Sequence, residues 1–152
     1  MGINMKRQGR LDEALDYYKK AIELDPANSV ILYNTGILFN IRSEYEEAVK
    51  TLELSINKNP ENVYAYLALG DAYERQNEIL KALQVFKDLK GLGIKVHGLK
   101  EKITYLEQQI QTQQKKERAR QMKEQESEKL SRQKATQEQE RLAKELDRKQ
   151  KE

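Results

Sequence analysis

The stretch ILYNTGILFNIRSEYEEAVKTLELSINKNP, residues 31–60, is followed by one of the same layout, AYLALGDAYERQNEILKALQVFKDLKGLGI, residues 65–94. Small, large and turn-forming residues return at a spacing of 34 positions in both stretches and in the residues before them. The four series in this register are Gly2, Gly36 and Gly70; Ala14, Ala48 and Ala82; Tyr18, Leu52 and Phe86; and Pro26 and Pro60. A period of this length indicates an array of stacked helical units.

The residue types in the register predict how each unit packs. Small residues such as Gly36 and Ala48 allow two helices to approach closely, and large ones such as Leu52 fill the space around them. Pro26 and Pro60 cannot continue a helix, so they mark the boundaries between units. One unit cannot bury its apolar face alone, and neighbouring units must therefore stack.

The spacing and residue types resemble the tetratricopeptide repeat (TPR), a helix-turn-helix unit. The resemblance covers residues 1–94 and rests on Tyr66, Leu69-Gly70, Tyr73, Ala82 and Phe86 in one unit and on Leu32, Gly36, Phe39, Ala48, Leu52 and Pro60 in the unit before. It implies an all-α, TPR-like α-solenoid of about 2.5–3 repeats: a partial repeat at 1–28 and repeats at 29–62 and 63–94. The sequence departs from the family pattern at Thr35, which stands where Leu is usual, and in the third unit, which lacks its closing Pro.

The first unit starts inside the motif, because Met1–Gln8 supply only part of the first helix. We therefore expect a shortened form or a fragment of a longer array. The second helix, Leu11–Leu24, should leave its apolar face near Leu15, Tyr18 and Ile22 uncovered. Exposed solenoid ends tend to associate, so the sequence predicts weak self-association, or marginal stability, at this end.

Helix starts are predicted from residues whose side chains accept hydrogen bonds from backbone N–H groups. Ser43 and Glu46 have the spacing of a capping box at the second helix of the middle unit. Asn62 and Asn77 are predicted N-caps for the two helices of the third unit.

The remaining chain divides at Ile110. Leu99, Ile103, Leu106 and Ile110 form an apolar stripe, which predicts an amphipathic helix over 95–110 that caps the solenoid. Residues 111–152, called the tail, hold 13 Lys and Arg against 9 Asp and Glu and contain no Pro or Gly. The tail is predicted as a charged helix, with disorder as the competing interpretation. The heptad positions are polar, so a sustained coiled coil is disfavoured although the composition suits one.

The composition argues against catalysis and against metal or cofactor binding. Cysteine is absent, which removes thiolate nucleophiles and cysteine-ligated zinc. The single histidine, His97, lies between Val96 and Gly98 and is predicted to be an exposed residue at a helix end. No phosphate-binding glycine loop is present. We therefore expect no enzyme activity, no cofactor and no metal. Without an apolar run long enough to span a bilayer, we expect a soluble, intracellular and cytoplasmic protein.

In the family, the first helix of each pair lines a concave groove that binds peptides. The residues that the resemblance places there are Tyr33, Asn34, Ile37 and Ile41 in the second unit, beside Val30, and Tyr64, Leu67, Asp71 and Arg75 in the third, beside Ala68. Two interpretations are open: these side chains bind a partner, or Tyr33, Ile37, Tyr64 and Leu67 simply pack between adjacent helices.

Some family members hold the C-terminal carboxylate of a chaperone through Lys, Asn and Arg. Asn34 matches the middle asparagine of that clamp, but Ile3, Tyr64 and Ala68 stand where an Asn, a Lys and an Arg are needed. One asparagine without the cations cannot hold a carboxylate. We therefore do not expect a chaperone tail as the partner, and a partly apolar or aromatic segment fits better.

The sequence predicts a non-enzymatic scaffold or adaptor that binds a protein segment in the groove, with the tail as a spacer or second contact. The alternative is a polyanion-binding protein that acts through the basic tail on nucleic acid or an acidic filament. The mixed charge of the tail and the absence of interleaved aromatic residues argue against nucleic acid. No membrane contact is expected.

Overall fold

The computed structural model describes the backbone of residues 2–151 and the side chains of residues 9–149. These residues form helices and connecting turns without a strand, so the predicted all-α class is confirmed. The helices are α1 (Gly2–Leu24), α2 (Ser29–Ile41), α3 (Tyr45–Lys58), α4 (Val63–Arg75), α5 (Ile79–Gly91) and α6 (Leu99–Lys151). The chain divides into two compact units, Met1–Gln108 and Gln109–Glu152, with the boundary inside α6.

The first unit is built from helices that pack in chain order. α1 packs on α2, α2 on α3, α3 on α4 and α4 on α5, and α2 also contacts α4. The two pairs α2–α3 and α4–α5 are the predicted helix-turn-helix repeats. Pro26 and Pro60 lie in the turns before α2 and α4, as their inability to continue a helix predicts.

The two helices of each pair meet at a glycine and a large apolar side chain. A Cβ atom added to Gly36 would overlap the side chain of Leu52, and one added to Gly70 would overlap the ring of Phe86. Both large side chains are buried, with Leu52 fully enclosed. The predicted close approach of the paired helices is therefore confirmed at both glycines.

The turn inside each pair differs from the sequence prediction. The N-caps of α3 and α5 are Glu44 and Glu78, and neither makes a side-chain capping bond. Ser43 and Asn77 adopt left-handed backbone angles instead, with φ of 62° and 60°. The predicted capping box at Ser43 and Glu46 and the predicted cap at Asn77 are therefore wrong.

A backbone hydrogen bond across the turn explains why these two positions reverse the chain. The N–H of Glu44 donates to the carbonyl of Phe39, and that of Glu78 donates to Tyr73. The reversal itself therefore satisfies a donor at the start of each second helix. Ahead of the first helix of each pair, side chains do cap. Asn62 accepts from Ala65 N–H as predicted, and Asn28 does the same for α2.

The partial repeat predicted at residues 1–28 contains one helix, α1, instead of a pair of helices. α1 runs from Gly2 to Leu24 without a turn, although Gly9 occupies the register position of Ser43 and Asn77. The side chains of 1–8, including that of Ile3, lie outside the described residues.

The predicted uncovered face of α1 is only partly open. Leu15 is 4% exposed, which corrects its assignment to that face, because α2 packs against this side of α1. Tyr18 and Ile22 are half-buried. Fully exposed apolar side chains on α1 are Tyr17 and Leu24 instead. The predicted self-association through this end stays a prediction.

The C-terminal helix starts later than predicted. Residues 92–98 form a turn segment in which Gly93 and Gly98 adopt positive φ angles, and α6 begins at Leu99 instead of Lys95. Leu99, Ile103 and Leu106 are buried, whereas Ile110 is half-buried. The first turns of α6 thus contribute apolar side chains to the core of the first unit.

Three side chains join elements that are distant in sequence. The Tyr73 hydroxyl donates to Glu53 Oε1 at 2.7 Å, and the Asn40 amide donates to the carbonyl of Ala68 at 3.0 Å. Ser55 Oγ donates to the carbonyl of Ser29 at 2.8 Å. Burial and then the bond to Glu53 raise the pKa of Tyr73 to about 12.

We expect Gly70→Ala to lower the free energy of unfolding by about 1–3 kcal/mol, the usual range for overfilling a packed interface. The added Cβ would overlap the Phe86 ring, so the ring or the two helices would have to shift. Urea unfolding followed by circular dichroism measures the change. Gly91→Ala is the matched control, because a Cβ there meets no atom within 4 Å. Equal stability of the two variants would contradict the close approach.

The raised pKa of Tyr73 predicts that the folded protein loses stability at alkaline pH. Its folded pKa of about 12 exceeds the ordinary value of 10.0, so the unfolded chain releases the proton first. The stabilisation is therefore complete below pH 10 and is lost as the pH rises through 12. Urea unfolding of the wild type and of Tyr73→Phe measures it: the difference between them should shrink over this range. Parallel curves would show that Tyr73 ionises equally in both states.

Candidate functional site

The face of α2 that the sequence assigns to the groove is partly open to solvent. Ile41 is 58% exposed at the C-terminal end of the helix. Tyr33, Asn34 and Ile37 are half-buried. Val30, at the start of the same face, is 59% exposed. The face therefore has exposed apolar side chains at both ends, Val30 and Ile41, and half-buried side chains between them.

The corresponding face of α4 is more polar at its C-terminal end. Tyr64 is 68% exposed, and Leu67 is half-buried. Asp71 and Arg75 are exposed and lie one helical turn apart, with Arg75 Nε 3.7 Å from Asp71 Oδ1. The face thus runs from an exposed aromatic ring to a loose, solvent-screened ion pair.

The exposure of Tyr64 decides between the two interpretations of the groove residues, partner binding and packing between helices, for that side chain alone. Tyr64 does not pack between adjacent helices, because two thirds of its side chain is accessible. Tyr33, Ile37 and Leu67 each bury part of their surface and leave part open. Their assignment to a binding site stays a prediction.

A cavity of about 350 Å³ lies between α2 and α4 and gathers half of the predicted residues. Ile37 and Ile41 form one side, and Asp71 and Arg75 form the other. Tyr33, Asn34, Tyr64 and Leu67 do not line this cavity. Ala68, which the sequence analysis placed on the same face, also lines it. Its other lining residues, which the sequence analysis did not assign to the groove, are Asn40, Ser43 and Tyr45.

Asn40 connects the two helices that line this cavity. Its amide donates to Ala68 on the neighbouring helix, while its Oδ1 is buried without a hydrogen-bond partner among the described atoms. One acceptor is thus left unused at the junction of α2 and α4. The 34-residue register carries no signal for this residue, because position 74 holds a glutamate.

A second cavity of about 260 Å³ lies between α4 and the start of α6. Leu67, Asp71 and Glu74 contribute from α4, and Phe86 contributes from α5. The other side consists of Val96, His97, Gly98, Leu99 and Lys102. Asp71 lines both cavities, so they adjoin along α4. Lys102 lies 34 residues after Ala68, so extending the 34-residue register by one more unit would have identified it as a candidate lining residue.

Lys102 contributes a cation to the second cavity and contacts two other lining residues. Its Nζ lies 2.7 Å from Glu74 Oε2 and 5.8 Å from the centre of the Phe86 ring. The predicted exposure of His97 is confirmed, and the residue lines the second cavity. Within the described part of the chain, no group of three or more His, Cys, Asp or Glu side chains could hold a metal ion. In the same residues, no helix is long and apolar enough to cross a membrane.

The family model described as TPR repeat matches residues 6–40 and 38–77. The BBSome complex member BBS4 of Bos taurus is 32% identical over 80 residues, which are 53% of this chain and 15% of that protein. The chain spans less than half the length of the curated relatives that it matches, from 15% to 46%.

Solved structures of similar fold include a TPR domain with a bound peptide. The first TPR of Spaghetti (RPAP3) bound to the HSP90 peptide SRMEEVD has a TM-score of 0.62 at 22% identity, covering 72% of this chain and 86% of that one. The N-terminal domain of stress-induced protein-1 (STI-1) from C. elegans has a TM-score of 0.60 at 25% identity, covering 70% and 89%.

One sequence-based expectation conflicts with these neighbours. We did not expect a chaperone tail as the partner, because Tyr64 and Ala68 replace cations of the carboxylate clamp. A domain of the same fold binds an HSP90 peptide, so the fold gives no ground for excluding such a ligand. We therefore withdraw that exclusion.

Proposed function

This chain carries a tetratricopeptide-repeat array, and we propose that it is a non-enzymatic adaptor that binds a protein segment along α2 and α4. The partner segment is partly apolar, with at least one large aliphatic or aromatic side chain. Residues 111–152 serve as a spacer or second contact.

The observation that carries this proposal is the exposure of large apolar side chains on one face of α2 and α4. Val30, Ile41 and Tyr64 each leave more than half of their surface in water. Single exposed apolar residues are ordinary, but several on one grooved face are typical of a binding surface. Tyr64 adds a hydroxyl to an apolar ring, a combination enriched at protein interfaces.

The arrangement of the two cavities supports a segment as the ligand. They adjoin through Asp71, so an elongated ligand could contact α2, α4 and the start of α6 together. Its charge requirements are mild, because Arg75 faces Asp71 and Lys102 is paired with Glu74. Apolar contacts are therefore expected to supply most of the affinity, with the charged residues setting orientation.

We expect Tyr64→Ala to weaken binding of such a segment by about 1–3 kcal/mol, the range for an aromatic interface anchor. Peptides selected from a random library against the whole chain provide the ligands, and the peptide SRMEEVD provides an acidic comparison. Isothermal titration measures the affinity of each peptide for each variant. Urea unfolding should show little change, because Tyr64 is largely exposed.

Tyr17→Ala is the matched control for Tyr64→Ala. Tyr17 is 75% exposed but lies on α1, and not on the α2–α4 face to which the groove is assigned. Equal affinity losses in the two variants would contradict the groove. Unfolding by Tyr64→Ala as severe as that by Gly70→Ala would show that Tyr64 is a core residue.

The proposed spacer role of the tail requires a helix that does not depend on a partner. Its described side chains, residues 111–149, are all exposed, including those of Leu130 and Leu142. No packing therefore stabilises this helix, which depends on helix propensity and on pairs such as Glu145–Lys149 at 3.0 Å.

The isolated tail should be a partly helical monomer whose helicity falls as salt is added, because salt screens exposed pairs. Circular dichroism of residues 111–152 over a range of sodium chloride concentrations measures this. Repeating the series at several peptide concentrations provides the control. Helicity that rises steeply with peptide concentration would instead indicate a coiled-coil oligomer.

A further inference from the structure

The charges of the tail are segregated, although their overall balance is nearly even. Residues 115–123, called the basic segment, hold five cations and one carboxylate: Lys115, Lys116, Arg118, Arg120 and Lys123, with Glu117. Immediately after it, Glu124, Glu126 and Glu128 form an acidic run without an intervening cation. The basic segment therefore carries a net charge of +4 over two and a half helical turns.

The ion pairs of the tail lie outside the basic segment. The described pairs are Arg132 with Glu128, Arg141 with Glu138 and Lys149 with Glu145. None of the five cations of the basic segment has a carboxylate oxygen within 4.0 Å among the described residues. Its one carboxylate, Glu117, accepts a hydrogen bond from Gln121 Nε2 at 3.1 Å. Nothing in the tail as described thus neutralises these five charges.

Three of the unpaired cations form a stripe. Lys116, Arg120 and Lys123 are spaced by four and three residues, which places them on the same side of α6. The stripe is about 10 Å long at a rise of 1.5 Å per residue. A helix or extended segment with a few acidic side chains would match this length.

We propose that the basic segment is a second binding site of this chain and that its ligand is an acidic protein segment, a short run of Asp or Glu. The site acts independently of the α2–α4 groove. Binding is electrostatic and uses exposed Lys and Arg side chains. No ion pair of the described tail has to break before they bind.

The acidic run argues for a short protein ligand over a nucleic acid. A nucleic-acid duplex carries a negative charge about every 1.7 Å of its axis. A duplex laid along α6 would therefore also meet Glu124, Glu126 and Glu128. An acidic peptide can end before that run, and its own basic residues can face it. Aromatic side chains for base stacking are also absent from residues 111–152.

A membrane surface fits the basic segment less well than an acidic segment does. Helices that lie in a membrane interface bury a broad apolar face. The apolar side chains of the basic segment are those of Ala119 and Met122 alone. A stripe of cations without such a face is complementary in charge to a protein segment in water.

The test compares two variants of the full chain with the same change in net charge. The first carries Lys116→Gln, Arg120→Gln and Lys123→Gln in the unpaired stripe. The second, a matched control, carries Arg132→Gln, Arg141→Gln and Lys149→Gln, which removes three paired cations from the same helix. Glutamine has a helix propensity close to that of Lys and Arg, and circular dichroism of both variants checks that the helix content is retained.

The probe is a fluorescein-labelled nonaglutamate peptide, and its binding is followed by anisotropy at low and at high salt. We expect the first variant to bind about tenfold more weakly, the combined effect of three exposed ion pairs, and the control to change less than about twofold. Wild-type binding should weaken as salt is added. Equal losses in the two variants would overturn the proposal, because net charge alone would then explain the binding.

Three further measurements decide between occupants. Duplex DNA or phosphatidylserine vesicles that bind more tightly than nonaglutamate, with the same loss in the first variant, would overturn the acidic-segment ligand. Sedimentation of the full chain at low salt tests a second copy. A dimer that dissociates with salt and is absent in the first variant would show that the acidic run of another copy is the occupant. A monomer at low salt supports the proposal.

Discussion

The contact of Gly36 with Leu52, repeated by Gly70 with Phe86, sets the distance between the two helices of each repeat. Because nothing larger than hydrogen fits at either glycine, the first helix of each pair rests directly on its partner. That approach turns the opposite face of α2 and α4 away from the core. The exposure of Ile41 and Tyr64 on that face is therefore a consequence of the packing at the glycines.

The repeat allows much of the fold to be predicted from the sequence, because a 34-residue register fixes helix number, helix order and contact residues together. Helix starts were harder to predict. Ser43 and Asn77 have suitable cap side chains, but both adopt left-handed backbone angles in the turn, a conformation that asparagine tolerates better than most residues. The same register placed a turn at Gly9, yet α1 continues through it.

The candidate site was less predictable, since a groove depends on which side chains remain open after packing. The resemblance to the repeat family implied the face that carries Ile37, Ile41, Asp71 and Arg75, and these residues line one cavity. It could not identify Asn40, whose role arises from its bond to a carbonyl on a neighbouring helix. The wall supplied by Lys102 was missed because α6 was interpreted only as a cap, although it also occupies the next register position.

The two parts of the chain present different chemistry because they are stabilised differently. In the first unit, packing buries a core of apolar side chains, while others, such as Ile41, Leu54 and Leu80, remain exposed. In the tail, no side chain is buried among the described residues 111–149, so helicity rests on propensity and local ion pairs. Pairing is strongest where carboxylates and cations alternate at helical spacing, as in Glu145 and Lys149. Where cations cluster, as from Lys115 to Lys123, the described residues form no such pairs, and the helix there depends on propensity instead of ion pairs.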